Sequence, residues 1–138
     1  MTFVVDNSIA LAWCFEDEQT PQIMALLDRV CETGAVAPQL WPVEALNGLL
    51  TAERRGRVSK PLREQLAGFL QALPIQIDDE TAGRIWTGTA QLASSHRLTS
   101  YDATYLELAI RRGLPLATSD TALIPAAKLI GVPLISLA

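Results

Sequence analysis

The sequence predicts an α/β fold in which a central, mainly parallel sheet of short strands lies between two layers of helices. Short apolar runs alternate with longer segments whose apolar residues recur at helical spacing. The runs are apolar throughout, as expected for strands that are covered on both faces. At 138 residues, we expect the chain to form a single domain, residues 1–138.

The first half of the chain predicts two strands and three helices. Apolar residues recur at helical spacing between residues 21 and 32, and Gly34 ends that helix. Pro38 and Pro42 mark the start of the next helix, and Gly56 ends it. In order, the predicted elements are strand 3–5, helix 8–15, helix 21–32, strand 35–37 and helix 42–55.

The second half predicts three strands and four helices. Ser59 and Pro61 are typical of a helix start, and Pro74 stops that helix. Gly113 and Gly131 close two later helices. In order, the predicted elements are helix 59–73, strand 75–77, helix 81–95, helix 102–112, strand 116–118, helix 121–130 and strand 133–136.

The charge balance does not favour nonspecific binding of nucleic acid, since the net charge is −4 and the pI is about 4.9. The basic residues are nevertheless concentrated between Arg54 and Arg63. This run is either a solvated corner between two helices or a surface for RNA phosphates, and Arg54, Arg55 and Arg57 would then be the RNA-binding residues. The acidic runs 16–18 and 78–80 are expected to be solvated loops or helix N-termini.

Several residue types carry little functional signal. Cys14 and Cys31 form no CxxC motif and are expected to be reduced thiols in or near the core. The single histidine, His96, lies in a polar run and is expected at the surface. The tryptophans are predicted to be core or interface anchors. No basic leader precedes the first apolar run and no apolar run reaches about 20 residues, so we expect a cytoplasmic protein with no membrane span.

Four acidic residues lie at or near the predicted ends of elements. Asp6 follows the first strand, Asp120 follows strand 116–118, and Asp102 begins a helix. Each of these three could simply cap a helix. Glu44 lies one turn into a helix among apolar residues, where a carboxylate usually needs a partner. Because ligands bind beyond the carboxyl ends of parallel strands, we expect the four side chains to meet there.

A pocket of four carboxylates needs a cation. Two carboxylates about 4 Å apart repel by roughly 1–4 kcal/mol, and they take up protons unless a cation binds. An all-oxygen site favours the hard ions Mg²⁺ or Mn²⁺. Such an ion suits the hydrolysis of phosphodiester bonds.

These residues lie in segments that resemble a known family. The segments are VVDNSIALAW at the N-terminus, APQLWPVEALNGL around Glu44, and TSYDATYLELA followed by LATSD around Asp102 and Asp120. In this order they resemble the PIN domain, and most closely the VapC-type toxins of bacterial toxin–antitoxin pairs. The resemblance spans nearly the whole chain.

The resemblance implies a PIN-like three-layer α/β/α fold and a metal-dependent endoribonuclease that hydrolyses RNA phosphodiester bonds with metal-activated water. It implies Asp6, Glu44, Asp102 and Asp120 as the catalytic residues. Asp6, Asp102 and Asp120 would be the ligands of Mg²⁺ or Mn²⁺, and Ser8 and Thr118 supporting polar residues. The implied partners are RNA, a second copy of the chain and a cognate antitoxin. DNA would be bound only indirectly, through the antitoxin.

Other interpretations remain open. An acid-lined module of this fold could bind a partner without chemistry, as a catalytically silent PIN-like interaction module. A phosphatase of the haloacid-dehalogenase type would require a second aspartate where this chain has Ser8. A phospho-receiver would require a lysine at a late strand end, and strands 116–118 and 133–136 contain none.

Overall fold

A four-stranded parallel sheet forms the centre of the fold in a computed structural model that describes residues 2–137. Its strands are β1 (Val4–Val5), β2 (Ala35–Ala37), β3 (Ile75–Ile77) and β4 (Leu116–Ala117), in the spatial order β3-β2-β1-β4. All three pairings are parallel. The predicted last strand, 133–136, is reduced to a single parallel bridge between Leu116 and Leu134.

Helices flank the sheet and confirm the predicted three-layer α/β/α class. They are α1 (Asn7–Ala12), α2 (Pro21–Thr33), α3 (Trp41–Arg54), α4 (Lys60–Ala72), α5 (Thr81–Arg84), α6 (Ala90–His96), α7 (Ser100–Arg112) and α8 (Leu123–Ile130). A short 3-10 turn, Glu16–Glu18, precedes α2. A π-helical segment, Ile85–Thr89, joins α5 to α6.

Local sequence signals account for most helix boundaries. The hydroxyls of Thr20, Ser59 and Thr99 accept hydrogen bonds from the first turns of α2, α4 and α7. Gly34 ends α2 with φ +76°, and a Cβ at this position would lie 3.1 Å from the carbonyl oxygen of Pro74. A side chain there would be strained by the backbone conformation and would require a small shift of the Pro74 carbonyl.

The core lies on both faces of the sheet. Phe3, Val4, Val5 and Leu116 are completely buried, which agrees with strands covered by helices on each side. Helix α7 packs against β1 and β4, and α1 packs against α3. In the described part of the chain, no helix has the length and hydropathy needed to cross a bilayer.

The structure corrects several sequence-based predictions. Trp86 is 89% exposed on the π-helical segment, so it is not a core anchor, and its role as an interface anchor stays a prediction. Cys31 is exposed rather than packed in the core. Asp78 is completely buried rather than solvated, because arginines from α7 pair with it. The predicted helix 81–95 is interrupted by the π-helical segment, which apolar spacing does not reveal.

The strand order places a topological switch point at β1. From β1 the chain first adds β2 and β3 on one side, and later adds β4 on the other. The carboxyl ends of β1 and β4 are therefore neighbours at the point where parallel α/β sheets bind ligands. Asp6 immediately follows β1, and Thr118 immediately follows β4.

Candidate acidic active site

Asp6 is the most deeply buried acid at this switch point, with 4% of its surface exposed. Its Oδ2 accepts hydrogen bonds from Ser8 Oγ at 2.6 Å, Thr118 Oγ1 at 2.9 Å and the Ser8 backbone N–H at 3.3 Å. The backbone N–H of Asp6 donates to the carbonyl oxygen of Ala117 at 3.0 Å. The carboxylate is thus fixed in one orientation by groups from both strand ends.

The loop after β4 is tied to the same hydroxyls. The Ser119 N–H donates to Ser8 Oγ at 3.1 Å, and the Asp120 N–H donates to Thr118 Oγ1 at 3.0 Å. Asp120 Oδ1 accepts hydrogen bonds from the backbone N–H of Ala122, just before α8, and from that of Leu123, its first residue, each at 2.9 Å. Asp120 is therefore a helix cap, and it holds its carboxylate beside the loop that carries Thr118.

Glu44 and Asp102 come from the first turns of two different helices, α3 and α7. Tyr105 O–H donates to Glu44 Oε1 at 2.7 Å and so connects α7 to α3. The Asp102 N–H donates to the side chain of Thr99 at 3.1 Å. Thr99, and not Asp102, is thus the cap of α7, which leaves the Asp102 carboxylate available for another role.

The four carboxylates lie close enough to repel one another, and the space between them is called the acidic pocket below. Burial raises the pKa of Asp6, and the Asp120 carboxylate raises it further against three hydrogen bonds that lower it. Burial also raises the pKa of Glu44, with added repulsion from Asp6 and Asp102. Burial, Asp120 and Asp6 together raise the pKa of Asp102 to about 6. Each acid therefore lies within electrostatic reach of at least one other.

Among residues 2–137, no lysine or arginine forms an ion pair with the four acids of this pocket. Every ion pair in that part of the chain involves other acids. Four neighbouring carboxylates with no basic partner form a site that lacks positive charge, and the pKa is raised at Asp6, Glu44 and Asp102. A bound cation would supply it.

A family model of the PIN domain matches residues 3–129. The chain belongs to the PIN domain family. The match covers both strand ends and all four acids of the pocket.

Solved structures share the PIN fold at low identity. PAE2754 from Pyrobaculum aerophilum is 23% identical, with a TM-score of 0.68 over 91% of this chain and 84% of that one. VapBC2 from Rickettsia felis, bound to a promoter DNA fragment, is 11% identical, with a TM-score of 0.70 over 99% and 98%. FitAcB from Neisseria gonorrhoeae is 17% identical, with a TM-score of 0.68 over 99% and 97%. At these identities the likeness shows the fold alone. Comparison with curated proteins finds no significant match.

The oxygen-only pocket of this PIN domain fits a hard divalent ion. Within the described residues, no three of its four acids have oxygens that all lie within 4.8 Å of one another. Three direct ligands of one Mg²⁺ would need oxygens within about 4.2 Å, twice the Mg–O distance. The spacing therefore suits an ion that retains part of its water shell.

A second acidic group lies at the end of β3 and has a different character. The ligand oxygens of Asp78, Asp79 and Glu80 do lie within 4.8 Å of one another. Arg111 donates to Asp78 at 2.7 Å and to Glu80 at 3.3 Å, so an arginine already offsets the negative charge of this group. It is an ion-pair network.

The three arginines predicted to bind RNA differ in their surroundings. Arg57 pairs with Asp17 at 2.7 Å and with Glu18 at 3.1 Å, and its guanidinium lies 4.2 Å from the ring centroid of Phe15. It therefore holds the 3-10 turn in place. Arg54 and Arg55 are exposed at the C-terminal end of α3, about 15 Å along the helix from Glu44.

Sequence reasoning did not single out Tyr105 as a site residue. Tyr105 lies three positions after Asp102 on the same helix face, within the segment that carries the family resemblance. That spacing could have indicated a polar group directed at the same pocket. Its partner, 61 residues earlier in the chain, could not be read from the sequence.

Proposed function

We propose that this PIN domain is a divalent-metal-dependent endoribonuclease and acts as the toxin of a toxin–antitoxin pair. The observation that supports this most strongly is the set of four carboxylates with no basic partner at the switch point of the sheet. Asp6, Asp102 and Asp120 would hold Mg²⁺ or Mn²⁺, partly through water. The proposal places the enzyme in the cytoplasm, where messenger and transfer RNA are used.

The chain's own residues would orient the reactants. Ser8 and Thr118 hold the Asp6 carboxylate in one position, so the pocket needs little rearrangement before a substrate arrives. Glu44 would accept the proton of the attacking water. When bound, the ion would lower the pKa of a coordinated water and neutralise charge that develops on the phosphoryl oxygens.

The proposed reaction is hydrolysis of an internal RNA phosphodiester. The water oxygen forms a bond to phosphorus while the bond from phosphorus to the 3′-oxygen breaks. One product end carries a 5′-phosphate, and the leaving 3′-oxygen takes up a proton from solvent water to give a 3′-hydroxyl on the other. Arg54 and Arg55 would bind RNA phosphates at a distance from the pocket, which is itself too negative to attract RNA without the ion.

An antitoxin is the second proposed partner. A groove of about 470 Å³ lies beside α3, α4 and β3 and is lined largely by apolar residues, including Val43, Leu46 and Ile77. These three side chains are 72%, 45% and 38% exposed, so the groove is an unfilled apolar surface. An apolar segment of a cognate antitoxin could fill it, and we propose that the toxin itself is a homodimer that contacts DNA only through the antitoxin.

The experiment that tests the nuclease proposal is Asp6→Asn. We expect this change to lower Mg²⁺-dependent cleavage of RNA by at least about a hundredfold, because it removes a central negative charge. The fold should persist or gain stability, since the change relieves repulsion with Asp120. Cleavage is measured on purified protein by sequencing the product ends, and stability by thermal denaturation.

Asp28→Asn is the matched control, because Asp28 is an exposed acid on α2. It should cleave like the unaltered protein. Cleavage by the Asp6→Asn variant at the unaltered rate would refute the proposed site. A protein that binds an antitoxin but neither binds Mn²⁺ nor cleaves RNA would instead be a silent interaction module.

A further inference from the structure

We infer that Tyr105 is a positioning residue of the acidic pocket, and that its hydroxyl holds the Glu44 carboxylate in the orientation needed to accept a proton. The inference rests on the proposed function and adds a residue to its machinery. Tyr105 itself need not touch the RNA or the ion, because it acts through Glu44.

The first support is the contact itself. Tyr105 is 1% exposed, and its O–H donates to Glu44 Oε1 at 2.7 Å, a short distance for a phenol and a carboxylate. Within the described residues, the Glu44 side chain makes no other hydrogen bond. One oxygen of Glu44 is thus occupied by a fixed donor, and the other remains available to a water molecule.

The second support is the position of the hydroxyl. The carboxylates of Glu44, Asp6 and Asp102 all raise the pKa of Tyr105, in addition to the larger effect of burial. The phenol therefore lies within electrostatic reach of three acids of the pocket, is in contact with Glu44, and remains a neutral donor at all ordinary pH values. A donor without charge can orient a carboxylate without competing with a cation for the site.

The third support is how the Glu44 carboxylate would behave if Tyr105 were absent. Glu44 is only half-buried, and among residues 2–137 it has no ion pair. Without Tyr105, repulsion from Asp6 and Asp102 would favour rotation of the Glu44 carboxylate away from the pocket. A group that must be within hydrogen-bond reach of a water loses efficiency when its orientation is not held.

The test is Tyr105→Phe, which keeps the buried ring and removes the hydroxyl. We expect kcat for RNA cleavage to fall about tenfold, the equivalent of one hydrogen bond to a charged group, with KM nearly unchanged. Tyr101→Phe is the matched control, because Tyr101 lies on the same helix and is 60% exposed. It should leave kcat unaltered.

A double-mutant cycle with Glu44→Gln separates positioning from packing. If Tyr105 acts through Glu44, Tyr105→Phe should lower kcat by less than about twofold in the Glu44→Gln background. The same tenfold loss in both backgrounds, or full kcat in Tyr105→Phe alone, would overturn the inference.

Binding of Mn²⁺, measured by calorimetry without RNA, provides a readout that does not depend on cleavage. We expect about fivefold weaker binding by Tyr105→Phe, because a displaced Glu44 contributes less negative charge to the pocket. Unchanged binding would overturn the inference. If the unaltered protein binds Mn²⁺ but cleaves no RNA, the proposed function fails, while this measurement still decides whether Tyr105 holds the Glu44 carboxylate toward the pocket.

Discussion

At the scale of single residues, Asp6 combines burial with negative charge. Burial raises its pKa, whereas Ser8 and Thr118 lower it by donating hydrogen bonds to the charged form. A buried carboxylate without such donors would be neutral near pH 7 and a poor ligand for a cation. The hydroxyls beside Asp6 therefore stabilise its charged form and also fix its orientation.

Asp102 makes the stability of the metal-free protein depend on pH. Its pKa in the folded protein is raised to about 6, from an ordinary value of 3.8. The folded state thus binds this proton more tightly, and the stabilising contribution is complete below pH 3.8 and lost as the pH rises through about 6. In EDTA we expect the free energy of unfolding to fall by about 1 kcal/mol between about pH 5 and pH 7.5, after allowance for solvent screening of this half-exposed group.

Urea denaturation at the two pH values measures this difference. Asp102→Asn should remove the part due to Asp102, and Asp28→Asn should not change the difference. Saturating Mg²⁺ should stabilise the protein most at the higher pH, where the pocket carries most charge. A free energy of unfolding that rises from pH 5 to pH 7.5 in EDTA would contradict the crowding of charge described here.

At the scale of elements, α7 connects the acidic pocket to the edge of the sheet. Its first turns carry Asp102 and Tyr105, and its last turn carries Arg111. Arg111 donates to Asp78 at 2.7 Å and to Glu107 at 2.8 Å. This pairing lowers the pKa of Asp78 and fixes α7 against the end of β3.

Arg111→Met should therefore destabilise the fold. It leaves Asp78, whose side chain is 0% exposed, with only the longer ion pair to Arg112 at 3.3 Å. We expect the free energy of unfolding to fall by about 3 kcal/mol, as for the loss of one partner of a buried ion pair. Denaturant unfolding measures the effect.

Arg84→Met is the control for this prediction. Arg84 pairs with Glu80 at 3.5 Å, and both side chains are about half exposed. Loss of such a surface pair should cost less than about 0.5 kcal/mol. Equal losses in the two variants would show that the Arg111 network contributes no more than a surface ion pair.

At the scale of the whole molecule, charge is distributed unevenly. The net charge is −4, yet Arg54 and Arg55 are exposed together at the end of α3 opposite to Glu44. A negative protein that binds RNA needs such a local surface, because binding to phosphates supplies most of the nonspecific affinity. One helix thus joins an acid of the pocket to a basic surface.

Arg54→Ala and Arg55→Ala should each weaken the binding of single-stranded RNA and flatten its dependence on salt. For each phosphate that the variant no longer neutralises, we expect the slope of log K against log salt concentration to decrease by about 0.7. Binding is measured in the Asp6→Asn background, so that RNA is not cleaved. Lys128→Ala removes an exposed cation at the end of α8 and is the control. An unchanged slope in both arginine variants would favour the solvated-corner interpretation.

The accuracy of the sequence-based prediction follows the range of the interactions involved. Strand β2 lies between Gly34 and Pro38 and β3 directly follows Pro74, where the sequence predicts both strands, because these signals are local. Asp120 is a helix cap, as one interpretation allowed. The burial of Asp78 and the pairing of Arg57 with Asp17 escaped prediction, because their partners lie 33 and 40 residues away along the chain.

The sequence by itself determined the alternation of strands and helices, the family, and the placement of an acid at or near the end of each of four elements. These properties depend on residue type and on spacing over a few positions. Only the tertiary structure decided that Thr118 meets Asp6 across 112 residues and that Tyr105 meets Glu44 across 61. Such pairings depend on strand order and helix rotation, which the packing of the whole chain sets and which no local pattern encodes.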